Sequence, residues 1–226
     1  MDGPLLDAAA IVRMLPLFGT AIVTTIGVFA ASTAIGTVAG LTFALLERMG
    51  WRAVTGALGV YSWFFRSLPE LIVLLFCYLA LPGLGLDWPA TAMAILGLAC
   101  IGTAYDYEIF RGGFASVGRG QYEASRALGL PPIRMYRRII LPQMLRATLP
   151  AWVTYACGAL KRTAIVSAIS VNDVMGTARL VMESTQRAFA PMVIALVVYV
   201  LLSSILMAAE AAVTRRYGAQ LGRRLF

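Results

Sequence analysis

The 226-residue sequence has no histidine and a single lysine, Lys161. Without histidine there is no imidazole base, no Ser–His or Cys–His relay and no histidine ligand for a metal. The three cysteines, Cys77, Cys100 and Cys157, stand singly inside apolar runs. They offer neither a disulfide framework nor a zinc spacing, and each is expected to be a small buried hydrophobe. The lone lysine is not preceded by G-x-x-x-x-G, so the chain carries no P-loop for binding and hydrolysing ATP. No catalytic residue, metal or cofactor is expected. Charge is scarce as well, at 13% of residues, against about 25% in soluble domains.

What is there is apolar: 60% of the residues. The runs are long enough for about five spans of roughly 20 residues, the length that crosses a bilayer's hydrocarbon core. They fall at about 15–46, 68–82, 89–110, 149–170 and 191–212. The first is rich in Gly, Ala, Ser and Thr, small residues that let membrane helices approach closely. The second follows an amphipathic piece, Val54 to Phe65, and an interruption at Arg66-Ser67-Leu68-Pro69-Glu70. The N-terminal sequence MDGPLLDAAAIVRMLP lacks a cleavable signal's layout and is expected to be retained. The expected fold is all-α, a single integral-membrane domain over 1–226.

Net charge is +8, but the arginines flank apolar spans, which excludes nucleic acid as a partner and points to membrane lipid. Segments 47–53, 111–146 and 213–226 together hold thirteen Arg. The alternate segments hold only Arg13, Arg179 and Arg187. Basic residues favour the cytoplasmic side, so the N-terminus is expected outside and the C-terminus inside. The spans contain no internal duplication, so a transport pathway needs a second copy or a related partner.

The loop at 111–146 holds GRGQYEASRALGLPPIRMYRRIILPQMLRATLP. Its local physics predicts a short helix, Gln121 to Leu128, with Glu123 in the first turn, where the dipole favours an acid. Gly129 is placed to cap it in the left-handed conformation, Pro131-Pro132 forbid continuation, and a second helix, Ile133 to Leu141, is expected to stop before Pro142. Ala124, Ser125 and Ala127 are small enough to seat the first helix closely in a groove of another protein.

At these residues the chain resembles the membrane subunits of binding-protein-dependent ATP-binding-cassette importers. Their signature, E-A-A, three residues, G, nine residues, I-x-L-P, is matched by Glu123-Ala124-Ser125, Gly129, Ile139, Leu141 and Pro142, with Ser in place of the third-position Ala. The resemblance implies a type I importer permease whose coupling helix docks on a separate ATPase. It narrows to polar amino acids of the histidine/lysine/arginine/ornithine and opine type. Arg66-Ser67-Leu68-Pro69-Glu70-Leu71 resembles R-G-x-P-x-L, with Ser67 for Gly. Tyr105 and Glu108 to Gly113 resemble A-Y-x-x-E-I-F-R-G-G. Leu160-Lys161-Arg162-Thr163-Ala164 resembles L-K-x-T-[SA], with Arg162 where many members carry Asp or Ser. The implied partners are two cassette ATPases, a second permease subunit, identical or paralogous, and a periplasmic or extracellular solute-binding protein. The implied setting is the bacterial inner membrane.

An ionisable group at mid-membrane costs about 2.5–3.5 kcal/mol, so each wants a reason. Two roles fit Glu70: closing a capping box with Ser67 as N-cap, or facing the substrate path. Arg66 either snorkels to the cytoplasmic face or joins that path. Lys161 and Arg162 have three options: binding a substrate carboxylate, pairing with Asp106 or Glu108, or reaching the external interface. Tyr105 and Asp106 are pathway candidates beside the family element. Glu108 and Arg111 suit an i,i+3 ion pair, and Asn172-Asp173 a helix start. Arg162 argues for a carboxylate-bearing cargo such as an opine or an acidic amino acid, the overall resemblance for a basic one. An ion-coupled carrier or channel is the competing class, distinguished by transport without a cassette ATPase.

Overall fold

The computed structural model describes the backbone of residues 8–222 and the side chains of 14–216. The expectation for the extreme N-terminus and the charges of Arg13, Arg223 and Arg224 lie outside the described residues. The described chain is helical, with no strand: α1 (Ala8–Glu47), α2 (Arg52–Ser67), α3 (Glu70–Leu75), α4 (Ala90–Ser116), α5 (Arg119–Ala127), α6 (Pro132–Met135), α7 (Leu141–Arg162), α8 (Val174–Thr185) and α9 (Phe189–Gly222). A π turn, Phe76–Ala80, prolongs α3, and a second, Tyr136–Ile140, joins α6 to α7. A 3₁₀ segment, Thr163–Ile169, continues α7.

Three segments are long and apolar enough to cross a membrane unbroken: Met14–Glu47, Ala90–Ser116 and Phe189–Arg216. Two bent pairs bring the number to five if each counts as one span: Arg52–Ser67 with Glu70–Ala80, bent by 103°, and Pro132–Ile169 with Val174–Thr185, bent by 43°. The apolar run at 68–82 is therefore not a span alone. The six residues of α3 and five of its π turn reach about 16 Å, half the hydrocarbon thickness.

Proline explains the sharper break. A residue before proline is driven to extended backbone, and Leu68, ahead of Pro69, has φ −88° and ψ 141°. This ends α2 at Ser67 and also overturns the capping box. The Ser67 hydroxyl stays in the helix, donating to the Trp63 carbonyl at 2.7 Å, while Pro69 stands at the N-cap of α3 with no side-chain cap bond. Pro142, by contrast, does not stop its helix. The π turn widens the backbone there, with the Leu141 N–H bonding the Tyr136 carbonyl five residues back, and Pro142 enters the first turn of α7, where its missing N–H is least costly.

α1 packs chiefly on α4, and glycine makes the contact close. A Cβ on Gly36 would lie 3.1 Å from the Gly102 carbonyl carbon, and one on Gly40 would lie 2.7 Å from the Asp106 Cβ and 2.8 Å from the Tyr107 nitrogen. Gly36 and Gly40 thus form a G-x-x-x-G face that lets two backbones meet. Three buried clusters follow one another along α1, around Phe18 and Ala21, then Val28, then Ala44. The last joins Tyr107, Phe110, Phe114, Met135, Ile140 and Met144, and fixes the α5–α6 region to the end of the bundle. α9 packs mainly on α7 and leaves Leu196, Val200, Leu201 and Ile205 exposed, the surface an apolar solvent would cover.

Candidate functional site

Two charged side chains meet beside the bend between α2 and α3. Glu70 lies in the first turn of α3 and Arg162 in the last turn of α7, ends whose dipoles favour an acid and a base respectively. Their Oε1 and Nε atoms are 3.0 Å apart. Gly158 makes room for this arginine, since a Cβ there would lie 3.1 Å from Arg162 Nη1. The guanidinium carbon stands 4.7 Å from the Tyr155 ring centroid. Tyr155 stacks on Tyr105 at 5.3 Å, and the Arg66 guanidinium lies 5.8 Å from the Tyr105 centroid. Each such cation–π contact is worth about 0.5–2 kcal/mol.

The ion pair borders a small cavity of about 20 Å³, lined by Ser32, Thr33, Glu70, Gly102, Tyr155 and Arg162 among others. Thr33 Oγ1, Glu70 Oε2 and Arg162 Nη2 are buried without a hydrogen-bond partner, and all three residues line that cavity. A paired arginine and carboxylate commonly share two parallel hydrogen bonds; this pair is placed to make one.

Asp106 is fully buried on the α1–α4 seam rather than among the lining residues of this cavity. Its Oδ2 accepts the Thr37 hydroxyl at 2.8 Å, and Thr37 in turn accepts the Trp152 indole N–H at 2.9 Å. Its Oδ1 has no hydrogen-bond partner. Arg66 does not swing free. It pairs with Glu108 at 3.2 Å, and Glu108 also pairs with Arg111 one turn along α4 and accepts the Ser62 hydroxyl at 2.8 Å. Neither Arg162 nor Lys161 pairs with Asp106 or Glu108; Arg162 takes Glu70, and Lys161 is exposed away from the cavity. Asp173 is the N-cap of α8, accepting the Gly176 N–H at 2.8 Å and the Tyr199 hydroxyl at 3.1 Å.

The E-A-A segment divides into a surface half and a core half. α5 starts at Arg119, earlier than Gln121, so Glu123 stands in its second turn rather than its first. The helix closes as a Schellman motif: Gly129 at φ +67° donates to the Arg126 carbonyl at 2.9 Å, and Leu130 donates to that of Ser125 at 3.1 Å. Glu123, Ala124 and Ala127 are exposed, but Ser125 is 2% exposed, with its hydroxyl donated to the Gln121 carbonyl at 2.6 Å. Ser125 therefore faces the chain's own interior and cannot seat in a partner's groove. Ile139, Leu141 and Pro142 are half-buried, the first two packed on the cluster beneath α5. Tyr122 also packs there, and burial pushes its phenol above the ordinary value against the opposing charge of Arg48.

Two exposed residues of this segment escaped motif reasoning. Leu128 is 76% and Ile133 83% exposed, on either side of the Gly129–Pro132 bend. The signal for them was present, two large aliphatic residues flanking a polar, arginine-rich bend, but the signature leaves both positions open.

Residues 32–218 match the family described as binding-protein-dependent transport system inner membrane component. The arginine ABC transporter permease protein ArtQ of Haemophilus influenzae is 34% identical over 82% of this chain and 86% of its own length. The nopaline transport system permease protein NocM of Agrobacterium fabrum is 30% identical over 88% and 86%. A crystal structure of an amino acid ABC transporter with histidines superposes with a TM-score of 0.84 at 30% identity, covering 93% of this chain and 99% of that one.

Proposed function

This chain belongs to the inner-membrane components of binding-protein-dependent transport systems, and on that premise we propose that it is the permease subunit of an importer for polar amino acids. Basic amino acids and opines are the favoured cargo, in keeping with the names of its arginine and nopaline relatives. Arg162 does not argue for an acidic cargo, because its charge is already met by Glu70. The family is a membrane component and not the ATPase, so hydrolysis belongs to partner chains.

The observation that carries this reading is the shape of residues 119–135. A short capped helix turns through Gly129 and Pro131 into a second helix, presenting Glu123, Leu128 and Ile133 at the surface. Apolar side chains this exposed, in a segment framed by Arg119, Arg126, Arg134, Arg137 and Arg138, suit a protein groove better than lipid. We assign this surface to a cassette ATPase on the cytoplasmic side, with the N-terminus outside and the C-terminus inside. Closure of two ATPases would pull on α5 and α6, and the cluster of Tyr107, Phe110, Phe114, Met135, Ile140 and Met144 would carry that motion to α4 and α7. The pathway would open between two permease subunits, fed by a solute-binding protein. Arg66, Glu70, Tyr105, Asp106 and Arg162 are its candidate residues; Lys161, exposed and apart from the cavity, has least support.

Reconstitution tests this. Vesicles containing the permease, its ATPase and its binding protein are expected to accumulate radiolabelled L-arginine or nopaline only with internal ATP. Uptake without the ATPase would overturn the proposal. So would labelling of a cysteine placed at Leu128 from the outside of intact cells.

A further inference from the structure

We propose that a second cavity, between α1, α4 and the start of α7, binds an anionic phospholipid, with an acyl chain inside it and the phosphate held by Arg146. The inference needs only the inner-membrane setting of the family and is independent of the cargo.

The cavity measures about 320 Å³, at the lower end of the range for small-molecule pockets. Phe110, Leu149 and Trp152 give it apolar walls. The polar groups that reach it are already engaged inside the chain. The Thr37 hydroxyl donates to Asp106 and accepts the Trp152 N–H, while the Thr148 hydroxyl donates to the Met144 carbonyl at 3.1 Å. A polar solute entering here gives up water and gains no waiting partner, which is costly. A hydrocarbon chain gives up nothing.

The rim is different. Arg146 lines the cavity from the second turn of α7 and is exposed. It makes no ion pair or hydrogen bond among the described residues, and none of those lining the cavity is acidic. Trp152 stands six residues farther along the helix, about 9 Å deeper. An unpaired cation at the mouth and an apolar interior behind it match the two ends of an anionic phospholipid. Basic pockets between membrane helices bind such head groups elsewhere.

The depth of Arg146 agrees. Thr154 on α7 bonds Glu210, whereas Asp173, farther along the chain, bonds Tyr199, nearer the start of α9. The two helices therefore run antiparallel. Counting back from Thr154 to Arg146 and onward from Glu210 to Arg216 moves about 12 and 9 Å in the same direction. Arg146 thus lies near the level of Arg215 and Arg216, where the apolar span of α9 ends. That is the level of the head groups, and all three arginines are exposed there. A chain entering from this level runs down into the cavity.

The experiment uses the complex of permease and ATPase, purified in detergent and stripped of lipid. Radiolabelled dioleoyl-phosphatidylglycerol is titrated onto it and competed with dioleoyl-phosphatidylcholine, which has the same chains, and with glycerol phosphate, which has none. Phosphatidylcholine is expected to compete at least about fivefold more weakly, the factor one arginine brings at an anionic head group. Glycerol phosphate should not displace the lipid. Arg146→Gln should weaken phosphatidylglycerol about fivefold and leave phosphatidylcholine unchanged, with Arg52→Gln, at the start of α2, as the control that changes neither. Leu149→Trp, which fills the cavity, should weaken both lipids. The comparison of ligands on the unaltered protein stands even where a variant fails to fold. Equal binding of the two lipids would overturn the site, and so would displacement by glycerol phosphate, since the cavity would then be unused. An equal loss in Arg146→Gln and Arg52→Gln would reduce the effect to diffuse surface charge and overturn it as well. Weakened ATPase association in Arg146→Gln, with lipid binding intact, would give that arginine to the ATPase instead. None of these outcomes touches the assignment as an amino-acid importer, which the uptake assay tests separately.

Discussion

Glu70 and Arg162 each terminate a helical segment, and their side chains join those two ends at 3.0 Å across the middle of the chain. The pair ties the start of α3, just past the 103° bend after α2, to the last turn of α7. Removing one partner of a buried pair costs about 3–5 kcal/mol, because the survivor is left unpaired. With side chains 20% and 30% exposed, this pair belongs toward the lower end of that range. Arg162→Met alone is expected to lower the thermal transition of the detergent-purified protein more than the double change Glu70→Leu with Arg162→Met. A double variant that melts as low as the sum of the singles would show that the two residues act independently.

Gly40 carries a different kind of contact. With a Cβ there set 2.7 Å from the Asp106 Cβ and 2.8 Å from the Tyr107 backbone nitrogen, no side-chain rotation relieves the clash. α1 must move away from α4, disturbing the Thr37–Asp106 hydrogen bond as well. Gly40→Leu is expected to prevent recovery of folded, monodisperse protein, and Gly40→Ala to lower its melting temperature measurably. Gly59, inside α2 with open space around it, is the control: Gly59→Ala should leave recovery unchanged and should not lower the melting temperature, since Ala favours the helix over Gly.

These cases mark what could be read from sequence. Gly129 was legible because a left-handed cap leaves a local signature: a glycine, then two prolines that cannot continue the helix. Asp173 as a helix start was legible for the same reason. The end of α2 was misjudged although its signal was also local. The Ser67-x-x-Glu70 spacing satisfies a capping box, but Pro69 imposes extended backbone on Leu68 and leaves Ser67 inside the preceding helix. Pro142 misled in the opposite direction, since a π turn absorbed it. The pairing of Glu70 with Arg162 had no local signal at all. It depends on the bend before Glu70 and on how α3 packs beside the end of α7, which only the packed helices determine, and sequence spacing offered Asp106 and Glu108 to Arg162 instead.

The Schellman closure at Gly129 gives a graded test of coupling. At φ +67° a β-branched residue is strained, by about 1–2 kcal/mol, whereas Asn tolerates the conformation. Gly129→Val is expected to weaken substrate-stimulated ATPase activity of the assembled complex strongly, and Gly129→Asn only slightly, with membrane insertion of both unchanged. If Val and Asn behave alike, the bend's geometry is not what transmits the signal.

Leu128 and Ile133 make a separate prediction about affinity. Both are largely exposed in the isolated chain, 76% and 83%, so replacing either with Asp removes little internal packing and should leave the melting temperature of the permease alone unchanged. Burying a Leu or Ile side chain against a partner contributes about 1.5–3 kcal/mol, and a charge in its place adds a desolvation cost. Leu128→Asp and Ile133→Asp are therefore expected to weaken cassette association by at least about tenfold, measured by titrating the ATPase onto immobilised permease. Glu123→Arg, on the same surface, should act on association rate and be sensitive to salt, as rim charges do. Unchanged affinity in both apolar variants would mean that the ATPase grips some other surface, and that the two exposed aliphatic residues beside the bend serve a different partner.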